Sequence, residues 1–154
     1  MRTLPGTGFL RAWRPFQAIT GALRDARERF GLRVVHFSVQ GNHLHLLVEA
    51  EGAESLSRGI QGLAIRIAKA LNRACSRRGK VFADRYHAHV LGSRREVANA
   101  LEYILENFRH HLREDVAPSG RDPCSSAAWL SVPIDGHAPV LPPRTWLLQH
   151  ADDG

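Results

Sequence analysis

The chain has 154 residues, of which 44% are hydrophobic, a size that suits one globular domain with a short extension. Lysine and arginine outnumber aspartate and glutamate by 21 to 15, and the formal charge of +6 favours a polyanionic partner such as nucleic acid. Two distant cysteines and only short apolar runs predict neither a disulfide framework nor a membrane anchor, so we expect a cytoplasmic protein.

The first predicted element is an amphipathic helix that begins at Pro15 and ends at Gly31. Proline is suited to the first turn of a helix, because its missing N–H is not needed there. Large apolar residues then recur at helical spacing and predict one buried face. These residues are Phe16, Ile19, Leu23, Ala26 and Phe30.

Two short strands follow, over residues 32–40 and 42–50, with a turn at Gly41. Each strand has apolar residues at every second position, which is the pattern of a strand with one buried face. The predicted buried residues are Val35, Phe37 and Val39 in the first strand and Leu44, Leu46 and Val48 in the second.

Residues 54–78 predict a long helix with one apolar and one basic face. The apolar face consists of Leu56, Ile60, Leu63, Ile67 and Leu71. The basic face consists of Arg66, Lys69, Arg73 and Arg77. Such a face either binds phosphate groups or is simply solvated, and both interpretations stay open.

A third strand over residues 81–91 and a final helix complete the predicted elements. Residues 81–91 are rich in β-branched and aromatic side chains, which favour strands. Ser93 followed by Glu96 forms a capping box, and it predicts a helix that runs to about residue 111. The buried side of this helix is expected to be Val97, Leu101, Ile104, Leu105 and Phe108.

The order of these elements predicts an α+β fold, a ferredoxin-like antiparallel sheet with helices packed on it. We assign residues 1–114 to this domain and residues 115–154 to an irregular, proline-rich extension. Within the extension, Trp129 and the patch at residues 146–148 are expected to dock on the domain.

A sheet of this type usually has a further strand ahead of the first helix. That strand lies in the middle of the sheet, next to the strand that contains His43 and His45. We therefore expect the functional form to include a strand encoded upstream of Met1, with residues 2–4 as its last part.

His43 and His45 are the residues most indicative of chemistry. Residues two apart on a strand point the same way, so these imidazoles lie side by side while Leu44 and Leu46 face the opposite layer. Neighbouring neutral nitrogen donors suit a divalent metal. The alternative is that both histidines merely occupy a polar strand face.

The last helix carries a second polar set, Tyr103, Asn107 and His110. Their spacing of four and then three residues places them on one stripe, beside the apolar face. A phenol and an amide oxygen would then point together. Taken singly, the tyrosine is also compatible with a packed aromatic, and the asparagine with a helix cap.

Residues 42–48 read Asn-His-Leu-His-Leu-Leu-Val, and this segment resembles the metal-binding strand of the single-tyrosine HUH endonucleases. The similarity is to the REP-associated tyrosine transposases, small bacterial proteins related to insertion-sequence transposases. Residues 77–87 and 122–126 are also similar, so the resemblance extends from about residue 15 to residue 148.

This resemblance implies a metal-dependent enzyme that nicks and rejoins DNA. His43, His45 and Asn107 would bind Mg²⁺ or Mn²⁺, and Tyr103 would form a 5′-phosphotyrosine. The implied partner is single-stranded DNA with an adjoining hairpin, bound by a monomer or homodimer at the bacterial nucleoid. The expected DNA-binding residues are Arg66, Lys69, Arg73, Arg77, Arg85 and His87.

Several alternatives remain at this point. Tyr86 is a second possible nucleophile, and His87 with His89 forms another histidine pair that either contacts DNA or lines the sheet. A histidine-triad nucleotide hydrolase would need a third histidine at the position of Leu47. A catalytically inactive DNA-binding protein of the same fold is the alternative outside enzymology.

Overall fold

A computed structural model of the chain describes residues 1–106 and 122–151, and it confirms the α+β class. The three strands form one antiparallel sheet in the order β1-β2-β3. Within the described residues, no helix is both long enough and apolar enough to cross a membrane. The elements are α1 (Trp13–Ala26), β1 (Glu28–Arg29), β2 (Leu32–Val39), β3 (Leu44–Ala50), α2 (Ala53–Ala74), α3 (Arg94–Glu106), a 3₁₀ turn (Ser126–Trp129) and α4 (Trp146–Gln149).

The first helix is shorter than its apolar pattern predicts. It ends at Ala26, and the chain then forms the hairpin that joins β1 to β2. Phe30 and Gly31 turn the hairpin with φ angles of 56° and 73°, in the left-handed region that a helix does not use. Phe30 therefore lies on the surface, 49% exposed, and the predicted extension of the helix to Gly31 is wrong.

A bulge in β2 changes which of its side chains face the core. The register with β3 shifts between Val34 and His36, so Val34 joins Phe37 and Val39 in the main apolar cluster. The predicted face is therefore wrong at Val35, although Val35 is also buried.

The alternation predicted for β3 is confirmed. Leu44 is in the apolar cluster, and Leu46 and Val48 pack against it. Because side chains alternate along a strand, the odd-numbered residues face the opposite side of the sheet. This is the side on which His45 lies.

Helices α1 and α2 pack against each other and cover one face of the sheet. The apolar face predicted for α2 is confirmed, since Ile60, Leu63, Ile67 and Leu71 are buried and Leu56 is half-buried. Gly59 allows the close approach of α2 to β2, because an added Cβ would lie 2.3 Å from the Leu32 Cβ.

The third predicted strand is largely absent from the described structure. Phe82 forms a single bridge with Thr3, and no β-ladder among the described residues includes residues 84–91. Strand structure depends on hydrogen bonds from a neighbouring strand, and composition alone does not supply them.

The segment from Met1 to Leu4 lies between β3 and Phe82. Arg2 forms an antiparallel bridge with His43, and the Leu44 N–H donates to the Met1 carbonyl at 2.8 Å. On the other side, the Leu4 N–H donates to the Val81 carbonyl at 2.7 Å. Residues 1–4 therefore hold the turn before β3 in place.

The capping box at the start of α3 is confirmed. Ser93 Oγ accepts from the Glu96 N–H at 3.3 Å, and the Glu96 carboxylate accepts from the Gly92 N–H at 2.8 Å. Val97 and Ile104 are buried as predicted, and Leu101 and Leu105 are half-buried. Phe108 and the predicted end of the helix near residue 111 lie outside the described residues.

The tail pairs with the outer edge of β2 at two points. The Val39 N–H donates to the Cys124 carbonyl at 2.8 Å, and the Leu141 N–H donates to the Val34 carbonyl at 2.9 Å. Trp129 packs against the core with its ring 5.8 Å from that of Phe37, so its predicted docking is confirmed.

A buried ion pair locks the tail to the loop before α1. Arg11 donates to both carboxylate oxygens of Asp122, at 2.7 and 3.0 Å, and also to the Val39 carbonyl at 2.8 Å. The side chain of Asp122 is 0% exposed and that of Arg11 is 8% exposed. We refer to this arrangement as the Arg11–Asp122 clasp.

Candidate functional site

Three aromatic rings form a row at one end of the sheet. The centroids of His43 and His45 are 4.8 Å apart with the rings perpendicular, and those of His45 and Tyr103 are 5.0 Å apart at 82°. His43 directly precedes β3, His45 lies on it, and Tyr103 lies on α3. The structure therefore brings together three residues that are separated by up to 60 positions in the sequence.

Packing of α3 against the sheet explains how Tyr103 reaches this row. The helix contacts β2 and β3 and buries Val97 and Ile104. Tyr103 precedes Ile104, so its side chain projects about 100° around the helix from it, at the border of the interface, where its ring contacts that of His45. It is 51% exposed, and its phenol can be reached by a large substrate.

Asn42 orients the first imidazole of the row. His43 Nδ1 lies 2.9 Å from Asn42 Oδ1, and an amide oxygen can only accept. With Oδ1 as the acceptor, Nδ1 is the donor, and in the neutral tautomer the lone pair is then on Nε2. This arrangement, in which a polar neighbour fixes the tautomer, is common among metal-binding histidines.

Two of the three predicted metal ligands are thus adjacent. The imidazoles of His43 and His45 place nitrogen atoms close together, which fits a divalent cation. Asn107 lies outside the described residues, as do His110 and His111. Within residues 1–106 and 122–151, no group of three or more His, Cys, Asp or Glu side chains could hold a metal ion.

The predicted basic face is exposed over most of its length. Arg66, Lys69 and Arg73 project from α2 into solvent. Arg77 lies beyond the end of the helix and is half-buried, and it donates to Asn72 Oδ1 at 3.3 Å. Arg77 is therefore not on the helical face to which its spacing assigned it.

The segment after Phe82 brings the other predicted residues close to β3. Arg85 and His87 are exposed, and His87 lines a cavity of about 570 Å³ together with His45. Tyr86 lines the same cavity, so the alternative nucleophile also lies near the row of rings. His89 Nε2 is 3.9 Å from a Glu96 carboxylate oxygen.

Two residues with important contacts, Asn42 and Arg11, were not identified from the sequence. Asn42 could have been noticed, because an amide side chain directly before a histidine pair is within reach of the first ring. Arg11 could not, because its partner Asp122 is 111 positions away and no local spacing relates them.

Comparison with protein families gives one match. Residues 16–107 match the family model described as "Transposase IS200 like". The matched region runs from α1 to Asn107 and contains His43, His45 and Tyr103. Searches of curated proteins and of solved structures found no significant match.

Proposed function

Because this chain belongs to the IS200-like transposase family, and its function is therefore of the DNA transposase type, we propose that it nicks and rejoins single-stranded DNA through Tyr103. The observation that carries this proposal is the row of His43, His45 and Tyr103. A phenol beside two imidazoles, open to solvent on one side, suits the cleavage of a phosphodiester bond.

In the first step, the Tyr103 phenol oxygen attacks the scissile phosphorus and loses its proton to solvent. The bond from phosphorus to the 3′ oxygen breaks, and that oxygen takes up a proton to become a free 3′-hydroxyl. The 5′ phosphate stays on Tyr103. Attack by a 3′-hydroxyl on this phosphotyrosine reverses the chemistry, so strands are rejoined without a nucleotide cofactor.

The histidines and Asn107 are proposed to hold a divalent cation, Mg²⁺ or Mn²⁺. When bound, the cation supplies charge stabilisation to the phosphate oxygens. The hydrogen bond between Asn42 and Nδ1 assigns this role to the Nε2 atom of His43.

We propose that the substrate is a single strand flanked by a hairpin, as in the REP-associated members of the family. An unpaired strand can bend to present its phosphate to Tyr103, whereas a rigid duplex bends only at a cost. The exposed Arg66, Lys69 and Arg73 would bind phosphates of the hairpin, and Arg85 and His87 those of the strand near the cavity.

Covalent capture of DNA tests this function. The protein is incubated with a pool of hairpin-flanked single strands, labelled at the 3′ end, in Mg²⁺ or Mn²⁺. Label that stays with the protein on a denaturing gel is the expected result, because the 3′ part of the strand remains on the tyrosine. With a 5′ label, the released fragment should be labelled instead.

Two tyrosine variants give the matched comparison. Tyr103→Phe should bind DNA but form no adduct, whereas Tyr86→Phe should form it normally. The reverse pattern would move the nucleophile to Tyr86. DNA binding without an adduct in any variant or metal would favour the inactive DNA-binding protein.

A further inference from the structure

The positive charge of this protein is concentrated in two parts of the chain. Residues 1–24 and 55–83 contain eleven of the 21 lysines and arginines and none of the 15 acidic residues. These two parts include most of α1 and α2, which pack against each other. The layer formed by α1 and α2 is therefore basic, although Arg11 and Arg58 are partly offset by Asp122 and Glu54.

Two large aromatic side chains are exposed at one end of this basic layer. Trp13, the first residue of α1, is 75% exposed, and Phe9 in the preceding loop is 56% exposed. Trp13 lines a shallow groove of about 510 Å³, between the start of α1 and the end of α2, that also includes Arg14 and Ser76. Exposed aromatics beside arginines and without acidic neighbours are typical of surfaces that bind single-stranded nucleic acid.

The aromatic pair lies at the same end of the sheet as the candidate site. The Phe9 ring approaches Gly41, to within 3.1 Å of the position that a Cβ would occupy there. The Leu10 N–H donates to the Gly41 carbonyl at 2.9 Å. Gly41 is two residues before His43, so Phe9 lies beside the turn that leads into the row of rings.

We propose that Phe9 and Trp13 are a stacking surface for unpaired bases of the DNA strand that reaches Tyr103. This inference rests on the proposed function, and it adds a second binding region, beside the β2–β3 turn that precedes the histidines. The aromatic rings contact base faces, and Arg14 and Arg73 contact the neighbouring phosphates. Because every base has a flat apolar face, this surface binds strands with little sequence preference.

The test compares two probes of equal charge. One is an oligothymidylate of about 20 nucleotides, and the other has the same sugar–phosphate backbone without bases. Dissociation constants are measured by fluorescence anisotropy at two salt concentrations. The unmodified protein should bind the oligothymidylate about tenfold more tightly than the abasic probe, because loss of one stacked base weakens binding by about this factor or more.

Substitutions at the two aromatic residues test whether their rings cause the preference for the base-bearing probe. Trp13→Leu and Phe9→Leu remove the aromatic face but keep apolar bulk against the groove and Gly41, so folding should be retained. Each should lose most of the preference for the base-bearing probe, with an unchanged salt dependence. Trp146→Leu is the matched control, because Trp146 is 58% exposed and lies outside both acid-free segments, and it should keep the preference.

Equal binding of the two probes by the unmodified protein would overturn the inference, as would an equal loss in Trp146→Leu and Trp13→Leu. Neither probe needs to be cut. Failure to form a covalent adduct would therefore count against the proposed chemistry and leave the stacking surface standing.

Discussion

Two polar regions of this molecule differ in the burial of their polar side chains. In the Arg11–Asp122 clasp and the residues after it, Asp122, Ser125 and Ser126 are at most 1% exposed, and each is hydrogen-bonded within the protein. In the row of rings, His43 and His45 are half-buried and Tyr103 is 51% exposed.

This difference distinguishes residues that stabilise the fold from residues that can meet a substrate. Buried polar atoms need internal partners, and once they have them they hold two chain segments in one geometry. Half-exposed polar rings that are aligned by the backbone can instead meet a substrate. The segment at residues 42–48 lies within the matched family region and is a candidate site, whereas the tail segment at residues 122–126 lies outside that region and is a structural lock.

The largest effect is expected from Tyr103→Phe, which tests whether this tyrosine serves chemistry or stability. We expect adduct formation to fall by roughly 10³-fold or more, because the nucleophilic oxygen is removed, while the midpoint of thermal unfolding stays the same. Adduct yield and thermal unfolding are measured on the same preparation. A large loss of stability would show that Tyr103 belongs with the structural residues.

Asp122→Ala should have the opposite effect. It leaves the Arg11 guanidinium buried without its carboxylate, which costs about 3 to 5 kcal/mol in the free energy of unfolding. Urea unfolding measures this loss, and Asp84→Ala, at an exposed aspartate outside the clasp, is the control. Replacing both partners, Arg11→Met with Asp122→Leu, should recover most of the stability; a double variant as unstable as the single one would contradict this account.

Asn42→Ala tests whether the tautomer of His43 matters. We expect about 10- to 100-fold more Mn²⁺ to be needed for half-maximal adduct formation, because the ring loses the partner that holds its proton on Nδ1. Folding stability should change little. Asn99→Ala, at an exposed asparagine of α3, should leave the metal dependence unchanged, and an equal shift in both variants would remove this role from Asn42.

The start of α3 is intermediate between these two regions, because its polar groups are exposed and also hydrogen-bonded to each other. Ser93→Ala should reduce the free energy of unfolding by about 1 kcal/mol, because the Glu96 N–H loses its acceptor. Ser93→Asp should retain most of the stability, since aspartate is also a good N-cap. If both variants lost the same amount, the cap would not be the cause.

The smallest expected effect is a pH dependence at the same cap. Hydrogen bonds from the Gly92 N–H and from Ser93 lower the pKa of Glu96 below its ordinary value of 4.5. The carboxylate therefore adds stability above pH 4.5, and this contribution is lost as the pH falls through the lowered pKa. The stability difference between the unmodified protein and Glu96→Gln should narrow below pH 4.5, while Glu102→Gln, exposed on the same helix, should show no such trend.

Features determined by neighbours in the sequence could be predicted. The alternation of β3, the apolar face of α2 and the capping box at Ser93 each depend on residues within a few positions of one another, and all three are confirmed. The histidine pair follows from the same alternation. Its position beside Tyr103 follows from the packing of α3 on the sheet, which the α+β order predicted.

Features that depend on backbone handedness or on distant partners could not be predicted. The helical spacing through Phe30 continues into a left-handed turn, because periodicity does not reveal backbone handedness. The prediction of a third strand was largely wrong, because composition does not show whether a hydrogen-bonding neighbour is present. The role of Asn107 as a ligand stays a prediction, since this residue lies outside the described part of the chain.

The Arg11–Asp122 clasp also constrains the order in which the chain can fold during its synthesis. Its two halves are 111 residues apart, and at a synthesis rate of about 5 to 20 residues per second the aspartate follows the arginine by roughly 6 to 20 seconds. During that interval α1 and the strands can emerge and pack, but the guanidinium must remain hydrated and the outer edge of β2 lacks the tail. The clasp can therefore close only after the three strands and helices α1 to α3 have been made.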